Sequence, residues 1–499
     1  MAYTLPDKKT LQEIGKQFGI NLSDDEAKSY HDVLQALTPG MRLIEELADP
    51  KPEVRYPRTP GYRPEGDENR YKAWYYKTRI EGASSGKLLG KTVAVKDNVS
   101  VAGVPMTNGA SFLEGYTADM DATVVTRVLD EGAIILGKAV CEYLCVAGNS
   151  ATSSTGAVEN PRAPGRSTGG SSNGSAALVA SGDVDLAIGA DQAGSIRMPA
   201  SHCGIVGLKP TYGLVPYTGA SGLDYTIDHL GPMTRTVLDC ALMLEAMAGD
   251  DGIDGRQRGH EPENYSEAVG KGVKGLRIGV VTEGFGRPES EAVVDEVVRA
   301  EVKRLEGLGA VVEEVSIPWH NTGSILWQPV GLEGVYQAWL NGHGIGYGVN
   351  GDYMLSYMKA MGAMRNHINE TAPTIKATIM VGEVLSRHGG QIYGKVQNLK
   401  RRLRAEYDAA LERFDVLVMP TTPMAAAPLT TRDAPIEEVL QRSWEPLNNT
   451  SPFNLTGHPA ISVCCGETND GRPVGFMVVG RHFDESMVFR VAEAVHQES

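Results

Sequence analysis

Along most of this chain apolar residues fall into two alternating rhythms, and these place the elements. Residues 91–96 (KTVAVK) form a short apolar run that predicts a buried strand. Residues 121–131 (DATVVTRVLDE) have helical period and lead into the apolar run AIILGKA. SAALVAS, from Ser175, predicts a helix; VDLAIGA at 184–190 and GLRIGVV at 275–281 predict strands. Residues 290–307 predict an amphipathic helix ahead of AVVEEVSI. Near the end come DVLVMP at 415–420, AISVCC at 460–465, VGFMVVG at 474–480 and a helix around 486–496. Strand-length apolar runs between helices mean a largely covered α/β sheet.

The first 75 residues follow a different pattern. Leu11, Ile14 and Phe18 share a helical face, and Ser23 with Glu26 forms a capping box ahead of Ala27, Tyr30, Val33, Leu34 and Leu37. Pro39 and Gly40 break that helix, and Met41, Leu43, Ile44 and Leu47 begin another. Pro50, Pro52, Pro57, Pro60 and Pro64 then make a stiff linker. Residues 1–75 therefore predict a helical appendage, either a dimerisation element or a cover for the main domain at 76–499. Within the main domain, residues 320–400 are rich in Trp, Tyr, Met and Gly and predict an insertion lining a pocket.

Composition narrows the class. The chain has 499 residues and 58 glycines, above the usual ~7%. It has no collagen period or Gly/Ser tract, and 41% hydrophobic content is enough for cores. A net charge of −15 argues against partners such as nucleic acid or an anionic membrane, which call for a basic face. Six scattered cysteines, no apolar signal core and no apolar run near ~18 residues predict a cytoplasmic protein with reduced thiols.

Three motif matches fail on context. Gly165-Arg-Ser-Thr-Gly169 fits the G-x-S-x-G elbow, but Pro161 and Pro164 precede it and more glycine follows. Gly346-Tyr-Gly-Val-Asn-Gly351 fits G-x-G-x-x-G with no strand leading in. Cys141 and Cys145 lack a matching Cys/His pair for a metal.

The strongest feature is residues 165–219, where glycine and serine interleave with apolar stretches. After the strand at 184–190 the chain turns through Asp191-Gln192-Ala193-Gly194-Ser195. Successive N–H groups in such a turn can form a donor nest, placing Ser195 as a nucleophile beside its own oxyanion hole. Equally, Ser195 can simply cap the next helix. The histidines offer no obvious base, since nothing pairs the nearby His202 with a carboxylate. Lys96, ending the strand TVAVK, is the alternative base; its plainer fate is to pair with Asp97.

Ala94-Val-Lys96-Asp-Asn98, Gly169-Gly170-Ser171-Ser172, Asp191-Gln-Ala-Gly-Ser195-Ile-Arg197 and Gly204-Ile-Val-Gly-Leu-Lys-Pro210-Thr-Tyr-Gly213, in that order, resemble the amidase signature family of serine hydrolases. The resemblance is dense from about 90 to 235. It implies a large mixed, mostly covered β-sheet sandwiched by helices. By motif position it implies Ser195 as nucleophile, Lys96 as base, and Ser171 as relay, joined to Gly170 by a cis peptide. It also implies an oxyanion hole from the N–H groups of Gln192, Ala193, Gly194 and Ser195, with Ser172 supporting the lysine. Ala193 replaces a usual glycine, which would strain the turn if that position needs a positive φ.

Gln192, the segment Cys141–Cys145, the helical N-terminus and the middle insertion look similar to the broad-specificity amidases associated with nitrile hydratases. That likeness implies a homodimer acting on small aliphatic or aromatic amides, with Leu144, Cys145, Ile227 and Trp327 in the acyl pocket and no cofactor or metal. The alternatives are a glutamine-dependent amidotransferase A-type subunit beside a tRNA-binding partner, a carbamate, urea or anilide hydrolase, and a non-catalytic protein that keeps the fold.

Overall fold

The computed structural model describes residues 3–431 and 433–496. Its strands are β1 (Trp74–Glu81), β2 (Thr92–Lys96), β3 (Ile134–Ala139), β4 (Leu186–Asp191), β5 (Val206–Lys209), β6 (His229–Thr234), β7 (Arg277–Val281), β8 (Val311–Val315), β9 (Val416–Pro420), β10 (Ala460–Glu467) and β11 (Pro473–Val479). They form one sheet in the order β1-β3-β2-β4-β6-β5-β10-β11-β9-β7-β8. β3, β2 and β4 run parallel, as do β8, β7 and β9, while β4/β6, β6/β5, β5/β10, β10/β11 and β11/β9 are antiparallel. Every residue of β4, β5, β6, β9 and β11 is buried, so both faces of the middle of the sheet are covered by helices.

Each strand and helix read from periodicity is present within a few residues of its expected limits. Three strands carried no such signal. β5 has only four residues, β6 (HLGPMT) contains Gly231 and Pro232, and β1 (WYYKTRIE) directly follows the proline-rich stretch. Proline normally argues against a central strand, yet Pro232 sits opposite Ile188 of β4. The register of β4 and β5 around it supplies what the local sequence does not.

The chain divides into two compact units, residues 1–52 and 53–499, rather than at 75. The segment after Pro52 belongs to the larger unit because polar side chains tie it down. The Tyr56 hydroxyl donates to Asp130 at 2.6 Å and Arg58 pairs with buried Asp121, while the Tyr62 backbone bridges to Lys77 of β1. The small unit has helices at Lys8–Gln17, Asp24–Gln35 and Thr38–Glu46. Ser23 and Glu26 make the expected reciprocal capping box. Proline 39 stands in the first turn of the third helix, where its missing N–H costs nothing. No helix among the described residues is long and apolar enough to cross a membrane.

Candidate active site

Parallel neighbours β2 and β4 end side by side, with Val95 opposite Ile188, so Lys96 and the turn after Asp191 meet at the carboxyl edge of the sheet. Lys96 is fully buried. Its Nζ donates to Ser171 Oγ at 2.8 Å and to the Ala190 carbonyl at 3.1 Å. The neighbouring carboxylate does not take it: Asp97 lies 3.4 Å from Lys138 Nζ and accepts from the Thr107 N–H and hydroxyl, both at 2.9 Å. Ser172 Oγ donates to the same Ala190 carbonyl at 3.2 Å, and the Ser172 N–H donates to the Ser195 carbonyl at 3.2 Å. Lys96, Ser171, Ser172 and the Ser195 turn thus belong to one cluster. The Gly170–Ser171 peptide is cis.

Asp191 organises the turn. Its Oδ1 accepts the Gly194 N–H at 2.7 Å and its Oδ2 the Ile196 N–H at 3.1 Å. The helix Arg197–Cys203 then starts with no side-chain cap of its own, so Ser195 is not its cap. Arg197 grips the same carboxylate through Nε at 3.0 Å and Nη2 at 2.9 Å, with both residues fully buried. Burial by itself raises a carboxyl pKa, but the Arg197 charge and hydrogen bonds from Arg197 and Asn454 outweigh it and hold Asp191 well below the usual range. Asn454 Nδ2 also donates to the Asp191 carbonyl at 2.9 Å.

Of the four N–H groups expected to face an oxyanion, that of Gly194 is spent on Asp191. Those of Gln192, Ala193 and Ser195 have no acceptor among the described residues. Ala193 is not in a left-handed conformation, so its Cβ brings no strain there; Gly194, at φ 137°, is. A Cβ on Gly194 would lie 2.2 Å from Thr450 Oγ1, so glycine is required at that position. Thr450 Oγ1 donates to the Ala193 carbonyl at 2.5 Å, and Trp327 Nε1 to the Gln192 carbonyl at 2.7 Å. Both carbonyls are tied back, which orients the intervening N–H groups.

Ser195 borders a cavity lined also by Cys145, Val146, Gln192, Met198, Leu223, Trp327, Trp444 and Leu447, with no charged side chain among its walls. Two of the expected pocket residues, Cys145 and Trp327, are there. Leu144 and Ile227 are not: both are fully buried in the hydrophobic cores. Leu144 and Cys145 have left-handed backbones (φ 45° and 62°), and the Leu144 side chain packs into the cluster around Met354 and Tyr357. The Ile227 N–H and carbonyl serve the turn at 224–229, and its side chain packs in the main core. Trp444 and Leu447 come from the region Ile436–Leu447, which no motif marked. Cys141 and Cys145 both donate to Asn108 Oδ1, at 3.5 and 3.3 Å.

His202 borders a separate cavity, and burial pushes its pKa down to about 4. Buried Glu142 lies against the Gly170–Ser171 peptide; its N–H donates to the Ser171 carbonyl at 3.2 Å. Burial pushes its carboxyl up to about 7 despite two hydrogen bonds from Thr152.

A large mixed sheet with a buried lysine–serine pair at its carboxyl edge defines an enzyme class, and comparison with known proteins agrees. The family model described as Amidase matches residues 66–489, and the chain belongs to this family. It is 42% identical over 500 residues to an enantioselective amidase of Rhodococcus rhodochrous, covering 99% of this chain and 96% of that one. It is 38% identical over 430 residues to the A component of the glutamyl-tRNA(Gln) amidotransferase of Haloarcula marismortui, covering 85% of this chain and 99% of the relative. The crystal structure of the corresponding Thermotoga maritima component superposes with a TM-score of 0.72 at 30% identity, covering 87% of this chain and 89% of that one.

Proposed function

We propose that this chain hydrolyses small aliphatic or aromatic carboxylic amides through an acyl-enzyme on Ser195. The observation that carries the reading is the fully buried Lys96 amine bound to Ser171 Oγ at 2.8 Å, without a carboxylate, in the cluster that holds the Ser195 turn. Ser195 Oγ attacks the amide carbonyl carbon while its proton passes to Ser171 and that of Ser171 to Lys96. The carbonyl oxygen becomes an anion held by the N–H groups of Gln192, Ala193 and Ser195. Gly194 instead locks the turn to Asp191. When the intermediate collapses, the C–N bond breaks and the departing nitrogen takes the proton back through Ser171. Water then cleaves the ester by the same route and releases the acid. Ser172 holds the Ala190 carbonyl that steers the lysine.

The walls beside Ser195 favour an apolar acyl group. Val146, Met198, Leu223, Trp327, Trp444 and Leu447 offer aliphatic and aromatic surface and no ionic partner for the α-amino and α-carboxylate groups of glutamine. Among the described residues Gln192 Oε1 is buried without a hydrogen-bond partner, and it can accept from the substrate's amide N–H. A fluorophosphonate probe tests the nucleophile. Wild type is expected to label stoichiometrically and Ser195→Ala not at all; equal labelling of the two sinks the assignment.

The small unit supports a second proposal, assembly of two copies as a homodimer. Phe18, Val33, Leu43, Ile44 and Leu47 are each more than half exposed, a dense apolar display for a unit of this size. Light scattering on the purified chain is expected to give twice the protomer mass, and a monomer at micromolar concentration overturns the proposal.

A further inference from the structure

Far from Ser195 in sequence, three residues from separate elements bring metal-binding atoms together. Asp408 lies on the helix Gln391–Arg413, His458 just beyond the helix Pro452–Thr456, and His482 just beyond β11. His458 Nε2 is 3.0 Å and His482 Nδ1 3.8 Å from Asp408 Oδ1, and one donor atom of each of the three residues lies within 4.8 Å of the other two. Donors around a tetrahedral zinc, with bonds of ~2.0–2.1 Å, stand roughly 3.3 Å apart. We propose that Asp408, His458 and His482 bind one divalent d-block cation of the zinc type.

The surroundings prepare both rings. Thr456 anchors them: its carbonyl lies 3.0 Å from His482 Nε2 and its Oγ1 2.9 Å from His458 Nδ1. A carbonyl only accepts, so His482 carries its hydrogen on Nε2 and turns the Nδ1 lone pair towards Asp408. His458 can place its hydrogen on Nδ1, where Thr456 Oγ1 accepts it, which frees Nε2 for the cation. A second hydrogen bond that fixes the tautomer is a usual companion of a ligating histidine.

Two imidazoles and one carboxylate suit zinc, cobalt or nickel better than magnesium or calcium, which take mostly oxygen. His458 is sealed in, but the Asp408 side chain is 48% exposed, so a cation can enter from solvent and water can fill the fourth position. Arg404 and Lys209 are the opposing charges; Arg404 is the one in direct contact with Asp408. It reaches the other carboxylate oxygen, Oδ2, at 3.4 Å and is itself half exposed, so it can swing away. The helix that ends at Thr456 also carries Asn454, which holds Asp191, so a cation here stiffens the scaffold behind the Ser195 turn.

The test uses the full, untagged chain, stripped with a chelator and titrated with Co2+ and then Zn2+. One equivalent of cobalt should bind with the visible spectrum of a nitrogen- and oxygen-ligated centre, be displaced by zinc, and raise the melting temperature. Asp408→Asn and His482→Ala, neither at a fully buried position, should weaken uptake by at least ~10-fold. Their metal-free melting and amide turnover should stay close to wild type. Absence of stoichiometric uptake by wild type overturns the proposal. So does undiminished uptake by the double variant, or a thiolate charge-transfer band, which would place the ion on cysteine.

Discussion

Replacing Lys96 by alanine is expected to lower kcat/KM for a simple amide by about 10³-fold or more, with the melting temperature little changed. A base positioned in the transition state contributes roughly 10²–10⁴-fold. In the proposed mechanism the same amine also returns the proton that the leaving nitrogen needs. Lys96 donates to Ser171 Oγ and the Ala190 carbonyl, and Ser172 still holds that carbonyl when the lysine is gone, so the sheet edge keeps a donor. A panel of benzamide, propionamide, an anilide, a carbamate and glutamine, run on wild type and variant, reads the loss and the leaving-group preference together. Near-wild-type turnover in Lys96→Ala, with a histidine substitution abolishing activity instead, rules out the lysine mechanism. A strong preference for glutamine would favour the amidotransferase alternative.

Replacing Arg197 by leucine should damage both stability and activity. Arg197 and Asp191 are fully buried, and removing one partner of such a pair costs about 3–5 kcal/mol because the other charge is stranded. Arg197 also donates to the Thr450 carbonyl at 2.9 Å and to Asn454 Oδ1 at 2.7 Å. Its loss therefore loosens the three residues that set the Ser195 turn. In wild type the Asp191 pKa is depressed, so the folded state binds fewer protons there than the unfolded chain. The resulting stability is fully present above the unfolded value near 4 and is lost as pH falls towards the folded one. Chemical denaturation of Arg197→Leu should thus show a large deficit at neutral pH that narrows in acid. An Asp191→Asn/Arg197→Leu double variant should regain part of the stability without activity. A single variant as stable as wild type at pH 7 would falsify the scaffolding role.

The sheet was legible where a strand is buried on both faces, as TVAVK and LAIGAD are, because burial imposes a continuous apolar run. It was illegible where pairing alone makes the strand, as in HLGPMT, whose glycine and proline are tolerated only because β4 and β5 flank it. The lysine–serine cluster was legible because its members sit in dense local motifs. Thr450 and Asn454 were not, since they meet Asp191 and Ala193 across more than 250 residues. The pocket was half legible. Cys145 and Trp327 line it, but Leu144 and Ile227 pack elsewhere, because which side of a turn a residue faces depends on backbone angles that residue type does not encode.

Three of the cavity walls come from outside the Lys96–Ser171–Ser195 cluster. Leu223, Trp444 and Leu447 make no hydrogen bond to Lys96, Ser171, Ser172 or Asp191 through their side chains, whereas the Ser195 turn is fastened from behind by Arg197, Thr450 and Asn454. In the proposed reaction, the side chains of these three walls are separable from the groups that move the proton. Randomising those three wall positions in a directed-evolution library is therefore expected to change the acyl size accepted while leaving the fastened turn intact.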